Sequence, residues 1–279
     1  MRFLQTYYSF STDEDPMFDK AGFLSPEFHW ITMAISCLLL KQHYGHVTLY
    51  CNSTAKKVVE ELCIPYDQIV TIPNIMEGYS GYELCALPKL YTYSEQHEPF
   101  LHVDCDFLLY DSLPDSFWKA DLFAQNIEYD DQLYNRKCID RFIQVGGKIP
   151  NFADIELKNK IISVANAGVL GGNDVKFIQY YTEQAYRFIY NNDRILKLNH
   201  DGFINSVYEQ LFFYCLAQKY NKTISYCTEG EKLSTLFDWM NLDMSCLKKH
   251  GYCHMLGNIK KRNDAQIFAS RLLEKIDPA

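Results

Sequence analysis

Nothing in the 279 residues approaches the roughly 18 consecutive apolar residues that a membrane-spanning helix needs. The opening "MRFLQTYYSF" has one Arg and no long apolar core before a small-residue cleavage site, so it does not read as a secretory signal. Positive charge is in deficit. With 27 Lys and Arg against 35 Asp and Glu, the net charge is −8 and the pI about 5.5, which argues against a broad nucleic-acid footprint. A phosphate ligand would need local help, from a metal or a few placed cations. Among 10 cysteines there is no Cys-x-x-Cys pair. Cys37 in "AISCLLL" and Cys215 in "LFFYCLAQ" sit in apolar runs and read as buried reduced thiols, not as disulfides or zinc ligands. The cytoplasm is the expected compartment. Repeats, low-complexity tracts and clean linkers are also missing, so one domain over residues 1–279 is expected.

What is present is a globular composition, 48% hydrophobic and 22% charged. With 21 Tyr and 18 Phe the aromatic share reaches 15%. Tyr suits a sugar or base pocket, but core packing is the use expected of most of them. Strand and helix signals alternate. "RFLQTYYSF" reads as a strand, and "SPEFHWITMAISCLLLKQHYG" as a helix with Ser25 as cap, Pro26 first and Gly45 just past the end. "HVTLYCN", "STAKKVVEELCI" and "DQIVTI" continue as strand, capped amphipathic helix and strand. A helix over about residues 82–93 leads into a strand ending at Asp104, and "DLFAQNI" follows as another. This predicts an α/β fold with a mainly parallel sheet flanked by helices.

Residues 128–160 carry charges, Gly146-Gly147 and Pro150, and read as a long excursion: a lid or acceptor-binding loop, or equally a plain surface insertion. "IISVANAGVLGGND" predicts a strand, a turn of small residues and a cap at Asn173 or Asp174 for the helix that follows. A helix over about residues 205–219, strands at "TISYCT" and "GYCHMLG", and a helix over residues 264–276 complete the pattern.

The chemistry is concentrated in "LHVDCDFLLYD". An extended strand sends residues i and i+2 to one face, so Asp104 and Asp106 are expected to project together as a hard-oxygen site for a divalent cation, with Cys105 turned away and no cationic neighbour in sequence. A second Asp-x-Asp, Asp13 and Asp15, lies among Ser, Thr, Glu and Pro and reads as a solvated loop. Context separates the two, because ligands bind beyond the carboxyl ends of strands in a parallel sheet.

In order along the chain, "DCD" at Asp104–Asp106, "NAGVLGG" at Asn166–Gly172, Glu209-Gln210 on a helix and "HMLGNIK" at His254–Lys260 resemble a GT-A fold glycosyltransferase. They are most similar to the retaining glycogenin and lipopolysaccharide galactosyltransferase-like family. The resemblance spans most of the chain. It implies a GT-A-type fold and transfer of a hexosyl group, with retention, from a UDP-sugar to a glycan or lipid-linked glycan acceptor, with peripheral membrane contact compatible. It also implies Mn²⁺ or Mg²⁺ held by Asp104, Asp106 and His254, the imidazole tilting the choice toward Mn²⁺. Asp104 would also contact the ribose. Lys260 would sit on the diphosphate, with Gly257 allowing close backbone approach. Thr6 and Tyr7 would contact base and ribose, Asn166, Ala167 and Gly168 would face the donor sugar, and Glu209 and Gln210 would act at the reacting centre. An ordinary helix surface is the plain alternative for that last pair. The family's usual Thr-Asn-x-x-Tyr-like opening is missing, and Lys260 is followed by Lys261-Arg262 instead of Pro-Trp.

Two other functions compete. A haloacid dehalogenase-like phosphohydrolase also ends a strand in Asp-x-Asp, but near the N-terminus and with Thr or Val two residues on, where this chain has Leu108. The other is an inactive nucleotide-sugar- or glycan-binding protein.

Overall fold

Ser25, Pro26 and Gly45 set the ends of the first long helix as read. In the computed structural model, Ser25 Oγ accepts from the Phe28 N–H at 3.5 Å, and Gly45 closes the last turn at φ 84°. The structure describes all residues except 11–14, 80–83, 131–134, 199–201, 203, 229–250 and 274–279. The strands are β1 (Arg2–Tyr7), β2 (Val47–Cys51), β3 (Gln68–Thr71), β4 (Phe100–Val103), β5 (Phe107–Leu109), β6 (Leu122–Ala124), β7 (Ile127–Asp130), β8 (Ile162–Ala165), β9 (Val169–Gly172), β10 (Ile224–Tyr226) and β11 (Tyr252–His254). Seven of them form a mainly parallel sheet in the order β10-β6-β9-β4-β1-β2-β3, so the expected α/β architecture is the one observed. No helix among the described residues is long and apolar enough to cross a membrane.

The chain divides into two compact units. The first comprises Met1–Pro73, His102–Pro114 and Leu236–Ala279. It contains the parallel run β1-β2-β3, the antiparallel pair β5-β11, and helices α1 (Pro26–Tyr44) and α2 (Ser53–Glu61). The described C-terminal helix, Asn263–Leu273, packs against α1. Leu4, Met33, Ile35, Leu49 and Phe107 are fully buried there. Asp67, before β3, receives the Val47 N–H and Lys41 Nζ, each at 2.8 Å.

The second unit comprises Asn74–Leu101 and Asp115–Thr235. Its helices are α3 (Leu87–Ser94), α4 (Asn135–Gln144), α5 (Asp154–Lys158), α6 (Val175–Asn191), α7 (Asp193–Leu198), α8 (Ile204–Ser206) and α9 (Phe212–Lys219). Val207–Leu211, between α8 and α9, is a π-helical turn. Asp174 caps α6, accepting from the Phe177 N–H at 3.0 Å. The glycines of "VLGG" serve the sheet: a Cβ on Gly171 would lie 2.1 Å from the Phe100 carbonyl oxygen, and one on Gly172 2.5 Å from that of Asp121.

Several expectations are corrected. Helix α3 begins at Leu87, with residues 80–83 outside the described set. "DLFAQNI" holds two strand segments, β6 and the start of β7, interrupted at Gln125-Asn126. Residues 128–160 are not a bare excursion, since they contain most of β7 and helices α4 and α5. "NAGVLGG" is a turn plus a strand, β9, because β9 pairs antiparallel with β6 before α6 begins.

Cys37 and Cys215, expected to be buried from their apolar runs, are buried. Cys37, Cys51, Cys215 and Cys253 are buried, and burial pushes each up to about 12. Cys63 and Cys85 are exposed.

Candidate functional site

Strand β4, buried along its whole length, stops at Val103, so the two aspartates are not on a strand as expected. The Phe107 N–H donates to the Asp104 carbonyl at 3.0 Å, closing a four-residue turn with Asp104 first and Asp106 third. The carboxylates still converge, through the turn and not through the strand period. The chain leaves as β5, which pairs with β11 so that Phe107 faces His254. The Phe107 ring stacks on Tyr252 with centroids 4.7 Å apart and meets the His254 ring edge-on at 5.7 Å. Met255 N–H donates to the Asp106 carbonyl at 2.9 Å. Residues about 150 positions apart in sequence are thereby locked together.

His254 Nε2 lies 3.2 Å from Asp106 Oδ1 and 3.9 Å from Asp104 Oδ2. One ligand atom from each of the three residues falls within a 4.8 Å group. His254 is 3% exposed, Asp104 22% and Asp106 18%, so the group is sunken but reachable. Two carboxylates and an imidazole make a donor set that fits a divalent cation of the Mn²⁺ type.

Asp106 does have a cationic neighbour, supplied from far along the chain. Lys260 Nζ lies 2.8 Å from Asp106 Oδ2 and also donates to the Ala21 carbonyl at 3.1 Å. Burial alone would push the Asp106 carboxyl up, yet Lys260 and His254 outweigh it and hold the group well below the usual carboxylate range. Burial likewise works against the Lys260 ammonium, but Asp106 wins and its pKa is raised. Both groups stay charged. Gly257, at φ 52°, opens the short 3-10 turn Gly257–Lys261 that carries Lys260.

Thr6 and Tyr7 end β1 beside this turn, with their side chains already engaged. Thr6 Oγ1 is 3.0 Å from Nε2 of the buried His102, and the Tyr7 hydroxyl donates to Asp19. Burial, then the Asp19 charge, raises Tyr7 far above its ordinary pKa, so its hydroxyl stays protonated.

The remaining expected residues lie in the second unit. Asn166, Ala167 and Gly168 form the turn between β8 and β9. Asn166 Oδ1 accepts from the Gly168 N–H at 2.8 Å, and Nδ2 donates to Glu128 Oε1 at 2.7 Å, so the amide shapes the turn itself. Glu209 is not on an ordinary helix surface. It lies on the π turn at 4% exposure, 3.0 Å from Lys89 Nζ and accepting from the Tyr93 hydroxyl at 3.1 Å. Lys89 also reaches the Ala167 carbonyl at 3.3 Å, tying Glu209 to the Asn166–Gly168 turn. Gln210 Oε1 is buried and has no hydrogen-bond partner among the described residues. Lys89 and Tyr93 escaped the sequence reading. The available signal was a lone cation four residues before a Tyr on a mostly apolar helix, a spacing that puts both on one face.

The chain belongs to a family of unknown function, DUF6734, whose model matches residues 1–278. No curated protein matches it. Among solved structures it is similar to the galactosyltransferase LgtC in complex with donor and acceptor sugar analogs, at 14% identity, 99% coverage of this chain and 95% of that one, with a TM-score of 0.49. It is also similar to the glycosyltransferase GlyE of Streptococcus pneumoniae TIGR4, at 9% identity and a TM-score of 0.45, covering 97% of this chain but 60% of that one. At such scores neither likeness carries a functional inference.

Proposed function

We propose that this protein is a GT-A-type glycosyltransferase that moves a hexosyl group from a UDP-sugar to a hydroxyl of a glycan acceptor, with retention of configuration. The observation that carries the reading is the cluster of Asp104, Asp106 and His254 with the Lys260 ammonium against it. The order of the sequence motifs supports it. A divalent ion, when bound, would neutralise charge on the departing diphosphate. Asp104, Asp106 and His254 are the residues proposed to hold that ion, and Mn²⁺ suits them better than Mg²⁺.

Lys260 contributes a compact, persistently positive group suited to a diphosphate, on a turn whose first residue, Gly257, lets the backbone come close. Base and ribose contacts are proposed at the end of β1, around Thr6 and Tyr7. The Asn166–Gly168 turn is assigned to the donor sugar, and Glu209 and Gln210 to the reacting centre. Gln210 Oε1 is buried without a hydrogen-bond partner among the described residues, an acceptor that a sugar hydroxyl could satisfy only if the surroundings open to admit it. For Glu209, two neighbouring donors keep the carboxylate oriented, a steadying role and not that of a free base.

The test is product release by the full chain from a panel of nucleotide sugars, with and without Mn²⁺, alongside thermal shift. Mn²⁺-dependent UDP release is expected, and NMR of the product anomer reads the stereochemistry. Phosphate release from phosphate esters, with none of UDP, would replace the reading by a phosphohydrolase. Nucleotide-sugar binding without turnover would leave a binding protein.

A further inference from the structure

Gln5 sits in the middle of the buried strand β1 at 0% exposure, a place where a polar side chain costs stability unless its hydrogen bonds are met. They are met in one direction. The Tyr66 hydroxyl donates to Gln5 Oε1 at 2.7 Å, and Gln5 Nε2 donates to Ser36 Oγ at 2.8 Å and to the Asp104 carbonyl at 3.3 Å. Ser36, also 0% exposed, donates in turn to the Phe107 carbonyl at 2.6 Å. The first and last carbonyls of the Asp104–Phe107 turn are therefore both gripped by one buried chain. Between them, Cys105 Sγ donates to the Thr6 carbonyl at 3.4 Å. Three points of the turn are fastened to β1 and α1, and one carboxylate oxygen of each aspartate lies within 3.9 Å of His254 Nε2. Glutamine suits this position because it can accept once and donate twice.

We infer that Gln5 and Ser36 are positioning residues that hold the Asp104–Phe107 turn in the shape its carboxylates need to bind a divalent cation. The inference rests on the cation-site reading above. Outer partners of this kind fix ligand orientation, and losing one weakens a metal by about 10- to 100-fold. A loosened turn should also discriminate less against Ca²⁺, which tolerates more irregular oxygen geometry than smaller ions.

Calorimetric titration of the full chain with Mn²⁺ and with Ca²⁺, together with melting temperatures, tests this. The variants are Ser36→Ala, Tyr66→Phe, and Gln5→Met in a Tyr66→Phe background, where the Tyr66 hydroxyl is removed along with its acceptor. Expected results are a Mn²⁺ affinity lowered about tenfold or more in Ser36→Ala and in the double variant, with the Mn²⁺-to-Ca²⁺ ratio falling. Tyr66→Phe, which removes the hydroxyl that donates to Gln5 Oε1 and also neighbours the Cys105 thiol inside the turn, should lose stability and lower Mn²⁺ affinity less than Ser36→Ala does. If wild type binds Mn²⁺ and Ser36→Ala binds it equally well with the same ion ratio, the positioning role is overturned while the cation site stands. Absence of Mn²⁺ binding by wild type overturns both. Should the double variant not fold, Ser36→Ala decides alone.

Discussion

At the scale of single residues, Asp104 and Asp106 have similar chemistry and different surroundings. Asp106 is paired with Lys260 at 2.8 Å, whereas His254 and His102 approach Asp104 no closer than 3.9 Å. Replacing Asp106 removes the counter-charge of a largely sheltered ammonium. Breaking such a pair costs about 3–5 kcal/mol when it is fully buried and less where water reaches it, so a loss of about 1–3 kcal/mol is expected for Asp106→Asn. Asp106→Asn and Asp104→Asn should each abolish Mn²⁺ binding, and denaturant unfolding alongside calorimetry separates loss of stability from loss of the ion. Unchanged stability in Asp106→Asn would contradict its pairing with Lys260. Asp67 offers a pH test away from the site. Burial works against its charge, but Lys41 and the Val47 N–H lower its pKa below the ordinary carboxylate value. Its stabilisation is thus complete above the unfolded-state pKa of about 4 and fades as pH falls through the lower folded value. Asp67→Asn should cost about 1 kcal/mol at pH 7, and the gap to wild type in urea unfolding should narrow progressively as pH falls below about 4. A gap that widened in acid would reverse the sign.

Among the elements, β9 makes the sharpest demand on its sequence. Its two glycines allow backbone contacts that any Cβ would violate, so Gly171→Ala is expected to cost about 1–3 kcal/mol through overpacking, read as a lower denaturation midpoint. A midpoint unchanged from wild type would mean the strands can move apart freely. The elements also show what could be read in advance. Helix α1 was legible because its ends are written locally, in Ser25, Pro26 and Gly45. That Asp104 and Asp106 would project together could be read from their spacing, whereas the approach of His254 to them was implied only by the family resemblance. The turn that replaces the end of the expected strand was not legible, because Gln5 and Ser36 hold it from 99 and 71 residues away. The partners of Glu209 were hidden for the same reason, since Tyr93 and Lys89 are more than a hundred positions distant. Helices α4 and α5 were hidden by their polar composition, which resembles that of a loop.

Across the whole molecule, acidity and local cations divide the work. With a net charge of −8, the chain as a whole would repel a nucleotide diphosphate, so under the proposed function Lys260 and a bound cation supply local attraction. Thiol reactivity follows an equally uneven map. Since the thiolate is the reactive form, Cys37, Cys51, Cys215 and Cys253 should resist alkylation at pH 7 and react on unfolding, while among the described thiols Cys63 and Cys85 react first. Peptide mass spectrometry after a short iodoacetamide pulse checks this, and early modification of Cys37 would contradict its burial. Cys63 belongs to the first compact unit and Cys85 to the second. Native chemistry therefore offers a reporter attachment point in each half, and a fluorophore pair introduced there would follow, without any engineered residue, whether a nucleotide sugar changes the distance between them.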